Sequence, residues 1–183
     1  MRADVAVSLR LFASVFAREV NEALLHEIGA ARRAMGEALG RDPIGDLPPG
    51  EARARVEALA VEYCRLFVGP RGHMPPVESV ALGQGRFWGP ATEAVASFYR
   101  LAGLQASREA CVPPDHISME LDCLATLEEQ GRADQAQAFA REHVLQWLPR
   151  LTRHVRERAT LAFYPAWCCG TETLLTELYG GET

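Results

Sequence analysis

The chain has 183 residues, 48% hydrophobic and 23% charged, which supports one domain with its own core and excludes intrinsic disorder. Its 19 basic and 24 acidic residues give a net charge of −5, which argues against a general nucleic-acid binder, whose face must be basic. Every basic residue is Arg, read first as the codon usage of a GC-rich genome. No apolar run approaches the ~20 residues of a membrane span. Arg10 and Arg18 interrupt the apolar N-terminal stretch, and no small-residue cleavage site follows it. The segment is therefore read as part of the fold, and the protein as cytoplasmic. Cys64, Cys111, Cys123, Cys168 and Cys169 are odd in number and contain no C-x-x-C pair, so neither a disulfide framework nor a zinc site is expected.

In chain order, Val5, Leu9, Phe12, Phe16 and Val20 recur at the three-or-four spacing of one buried helical face. A second helix is predicted over 27–39, ending at Gly40, and GRDPIGDLPPG (40–50) is a loop. Val56, Leu59, Ala60, Tyr63, Leu66 and Phe67 form the stripe of a third helix that stops at Gly69-Pro70. Residues 69–90 hold five Gly and four Pro, a density at which no regular element is expected. Irregular connections of that length are uncommon in compact domains and often carry function.

Periodicity returns at 91–102 and stops at Gly103. Pro113-Pro114-Asp115 then opens a helix with Ile117, Leu121, Leu124 and Leu127 on its buried face and Asp115 as its N-cap. Another helix spans 132–148, and Pro149 suits the first turn of the next. The last starts near Pro165 and runs to Gly180-Gly181. With no strand or hairpin signal, the predicted fold is all-α: a single-domain bundle of about eight helices, residues 1–183, with a long Gly/Pro-rich loop at 69–90.

Few residues suggest chemistry. His116, one turn before Glu120, is either a base or metal ligand or simply packs beside the capping Asp115. Cys168-Cys169 near the helix start at Pro165 reads as core packing, with a reactive thiol as the alternative. From Glu109 to Gln130 there are six acidic residues and no basic ones, which is either a solvated face or a surface for a cationic ligand such as an Arg-bearing peptide. From Arg141 to Arg158 there are five Arg against two Glu, fit for phosphate or an acidic partner.

In order along the chain stand EYCRLFVGP (62–70), PPVESV (75–80), Phe98-Tyr99-Arg100 with Gly103-Leu104, and PPDHISMEL (113–121). HVLQWLPR (143–150) and FYPAW (163–167) follow. Together these resemble the TorD/DmsD family of cytoplasmic redox-enzyme maturation chaperones, over about 62–180. The resemblance implies an all-helical chaperone, not an enzyme, with no cofactor of its own. Its partners would be the twin-arginine signal peptide and the apo form of a molybdopterin oxidoreductase subunit. Neither nucleic acid nor stable membrane insertion would be involved, and the chain would be a monomer or homodimer.

Carried over to this chain, the signal-peptide-binding surface would involve Tyr63, Leu66, Phe67, Pro76, Val77, Asp115 and His116. An apolar leader beside an Arg pair adds Trp88 to the apolar part and Glu78 and Glu120 to the acidic part. Relatives often carry an aromatic where this chain has Ala81 or Val77, which shrinks the apolar platform. Two rival readings are a small helical metal-binding or redox protein using His116, Glu120 and cysteines, and a regulator contacting nucleic acid through 141–158.

Overall fold

A computed structural model describes residues 2–39, 51–84, 88–104 and 112–181. Cys111 and the 40–50 loop lie outside them. The described residues form eight helical rods and no strand. The N-terminal rods are α1 (Arg2–Ala17), α2 (Glu22–Leu39) and α3 (Ala52–Tyr63), the last continued by a wide π turn at Cys64–Val68. A single turn, α4 (Glu78–Ala81), precedes α5 (Pro90–Leu101) and α6 (Ile117–Glu129). The chain ends in α7 (Ala133–Phe139), a π turn at Ala140–Val144, α8 (Leu145–Arg158) and α9 (Phe163–Tyr179).

Three element boundaries differ from the sequence reading. Helix α2 starts five residues early because Asn21 caps it, its Oδ1 accepting from the Leu24 N–H at 2.9 Å. Pro149 starts no helix. The backbone stays right-handed helical from α7 through the π turn, and Pro149 lies inside α8 on its solvent side. The loop 69–90 is also not irregular throughout, since α4 forms within it. Helix α9 begins at Phe163, close to the expected start near Pro165. Gly103 and Gly131 end their helices as expected, in the left-handed region at φ 68° and 72°.

Helix α6 is the spine. Its Leu121, Leu124 and Leu127 are fully buried, and its main packing partner is α1, whose Leu9, Phe12 and Phe16 are buried in the same core. Arg10 of α1 ties the rim of that contact to Asp122 and, at 2.7 Å, to Glu129 of α6. These are exposed pairs and add little stability. On the other side Trp147, Leu148, Leu151 and Val155 of α8 face Phe163, Tyr164 and Trp167 of α9, all buried. Glu62 of α3 joins the two halves: its carboxylate accepts from the N–H groups of Thr160 (2.6 Å) and Leu161 (3.1 Å) and from Arg65 (2.7 Å). Burial pushes its pKa up, but Arg65 and the two amides outweigh that and leave it below the usual carboxylate value.

Because Leu124 is fully buried, Leu124→Ala leaves a cavity and is expected to destabilise the fold by about 2–5 kcal/mol in urea denaturation, without changing its helical content.

Candidate functional site

Two of the motifs singled out in the sequence form one structural unit. Val77, just before α4, and His116, just before α6, meet in an isolated antiparallel bridge. The Ile117 N–H donates to the Pro76 carbonyl and the Glu78 N–H to the Asp115 carbonyl, each at 2.9 Å. The Asp115 carboxylate takes the Ser79 N–H, also at 2.9 Å. Asp115 therefore caps α4 across the gap rather than α6, its own neighbour. The N-cap of α6 is His116, whose Nδ1 accepts from the Ser118 N–H at 3.2 Å. That acceptor role leaves the imidazole proton on Nε2. The expectation that Asp115 caps α6 is corrected by this cross-chain geometry: a four-residue helix has amide donors to satisfy, and Asp115 is placed to reach them.

Beneath the bridge lies a buried polar nexus. Glu78 is 3.1 Å from Nδ1 of His143, on the π turn before α8. Glu120 of α6 accepts from the indole N–H of Trp147 at 3.1 Å, and its other oxygen, Oε1, has no hydrogen-bond partner. Glu120 is fully buried, and the Glu78 carboxylate is close enough to act on it. Burial, with the nearby Glu78 charge adding to it, pushes its pKa well above the ordinary value. His116 moves the other way, down to about 4, because burial disfavours the imidazolium more than Asp115 favours it. Tyr99 closes the top, its hydroxyl donating to the Pro114 carbonyl at 3.0 Å. Arg150 of α8 donates to the Ala81 carbonyl at 3.2 Å and holds the other end of α4.

The structure thus brings together Pro76, Val77, Glu78, Asp115, His116 and Glu120, all buried. Tyr63, Leu66 and Phe67 form a separate core cluster, where Phe67 meets Tyr63 at 5.1 Å and Tyr164 at 5.5 Å between ring centroids. Of the sequence-predicted site residues only Trp88 is exposed, at 67%. It adopts a left-handed backbone (φ 67°), unusual for a bulky residue, and Gly89 beside it packs against α4 near Ser79 and Gln84. The acidic stretch 109–130 offers no open carboxylate row among its described residues. Asp115, Glu120 and Glu128 are buried, Asp122 and Glu129 pair with Arg10, and Glu128 accepts from the Tyr179 hydroxyl at 3.0 Å.

Sequence reasoning passed over His143, Trp147 and Ser79 as site members. Their one signal was membership of the recurring strings, since Glu78 and His143 are 65 residues apart. The metal or redox reading finds no support. His116 and Glu120 are committed to these bonds, and burial pushes the Cys123 and Cys168 thiols up, away from reactive thiolates.

Its relatives place this helical fold among chaperones rather than enzymes. Residues 11–153 match the family model described as nitrate reductase delta subunit, and the chain belongs to this TorD-like family of maturation chaperones. It is 25% identical over 176 residues to the chaperone protein TorD of Shewanella piezotolerans, spanning 86% of this chain and 82% of that one. It is 28% identical over 120 residues to TorD of Vibrio cholerae, spanning 59% and 54%. A crystal structure from Archaeoglobus fulgidus, described as a redox enzyme maturation protein, superposes with a TM-score of 0.61 at 25% identity, over 96% of this chain and 93% of that one. Among the described residues no helix is long and apolar enough to cross a membrane.

The nexus makes stability depend on pH in two opposed ways. Glu120 is protonated in the fold, so its contribution is complete below the unfolded value of 4.5 and is lost as pH rises toward its elevated folded value. His116 is neutral in the fold, so its contribution is complete above 6.5 and is lost as pH falls from there toward about 4. Glu120→Gln mimics the protonated acid and keeps an acceptor for Trp147. Thermal unfolding across pH should show it gaining on the wild type as pH rises. A constant difference between the two proteins would mean that Glu120 carries no resident proton.

Proposed function

We propose that this chain is a cytoplasmic chaperone that binds the twin-arginine leader, or the folding apoprotein, of a molybdenum-cofactor oxidoreductase and assists its maturation before export. The observation that carries the reading is the match to the maturation-chaperone family across most of the chain. A holding role needs a surface for an apolar segment and a scaffold that does not yield when the segment docks. Trp88 supplies exposed aromatic area beside α4, and large rigid aromatics dominate such contacts. Pro76, Val77, Glu78, Asp115, His116 and Glu120 act by fixing the bridged loop that presents it. Tyr63, Leu66 and Phe67 hold the adjacent core.

The test is calorimetric titration with the leader peptide of the molybdoenzyme encoded nearest to this chain. Saturable binding is expected, and Trp88→Ala should weaken it about tenfold or more, on the order of 1.4 kcal/mol. Asp115→Ala with His116→Ala should also weaken it, while circular dichroism reports intact helices, because losing each of the two caps costs about 0.5–2 kcal/mol. A wild-type protein that binds neither leader nor apoprotein would overturn the proposal.

A further inference from the structure

Farther along α8 lies a groove of about 490 Å³ that neither the bridged loop nor the core uses. Thr152 and Arg156 line it from α8, and Cys169, Glu172, Thr176 and Glu177 from α9. Three features set it apart from an ordinary interhelical furrow. Arg156, Glu172 and Glu177 share it, yet none of the three forms an ion pair within 4 Å among the described residues. Two carboxylates facing one guanidinium leave it net acidic. Thr152, only 5% exposed, has a hydroxyl with no hydrogen-bond partner. A buried hydroxyl without a partner is costly, and such groups in native folds point to something that is absent.

These groups suit a peptide segment with a basic side chain. A guanidinium can take a carboxylate of α9 through two parallel bonds, while peptide carbonyls accept from Arg156 and the Thr152 hydroxyl. The place fits as well. Arg150, which holds the end of α4, precedes Arg156 by six residues, about 9 Å along a helix and about three residues of extended chain. Along the α8 axis the groove is therefore about three extended residues from α4, on a neighbouring face of the helix. We infer that the groove between α8 and α9 binds an arginine-bearing peptide segment, and, resting on the chaperone reading above, that it receives the arginines of the leader. The buried acids near Asp115 are then not the arginine site.

The experiment titrates the synthetic leader, and a version with both arginines changed to lysine, into the wild type and into Glu172→Gln with Glu177→Gln. Both positions are surface ones, and circular dichroism checks that the fold survives. The double variant should bind the arginine peptide at least tenfold more weakly, and the loss should be smaller for the lysine peptide, which cannot form paired bonds. Bound leader should also slow alkylation of Cys169 by N-ethylmaleimide, read by peptide mapping. A variant that binds like the wild type, or Cys169 labelling that the leader leaves unchanged, would overturn this inference while the chaperone reading stands. A wild type that binds no leader removes both.

Discussion

The burial of Glu78 and Glu120 in one site is the constraint on which the middle of the molecule depends. Two full charges there would repel and lack hydration, and this pushes the Glu120 pKa well up. Around these two acids gather α4, the start of α6, and the Trp147 and His143 groups that precede or begin α8. A loop rich in Gly and Pro has little intrinsic order, and here it is fixed by backbone pairing above and by this polar nexus below. Removing one partner would leave the others buried and unsatisfied.

This arrangement explains why the two most distinctive strings in the chain, PPVESV and PPDHIS, belong together. Each Pro-Pro segment opens a tight turn, the His116 N–H donating to the Pro113 carbonyl and the Val77 N–H to the Pro75 carbonyl. Side by side they make a short two-stranded contact within an otherwise helical protein. Among the described residues the acids of the 109–130 stretch are buried in the fold or paired with Arg10, whereas the groove between α8 and α9 carries Glu172 and Glu177.

The chaperone function sits comfortably with this division. Nothing in the nexus is poised for turnover: His116 is held neutral by burial and serves as a cap, and the thiols of Cys123 and Cys168 are held as thiols. What the fold presents outward is an exposed tryptophan on a strained backbone and a polar groove, both suited to holding a chain segment.

The sequence by itself determined the helical class and most of the rods, because apolar spacing on a helix and Gly at its end are local properties. Leu121, Leu124 and Leu127 could be placed on a buried face from spacing alone, and Gly103 and Gly131 as stops. The recurring strings also carried the family. Tertiary structure alone decided which amide Asp115 caps, that α4 forms within the loop, and that Pro149 rides inside a continuous helix. It also decided that Glu78 meets His143 across 65 residues and that Tyr63, a better candidate for contact than Leu66 or Phe67, is core as they are. These outcomes depend on which distant donor or acceptor arrives opposite a given side chain. Periodicity along one helix carries no information about that arrival.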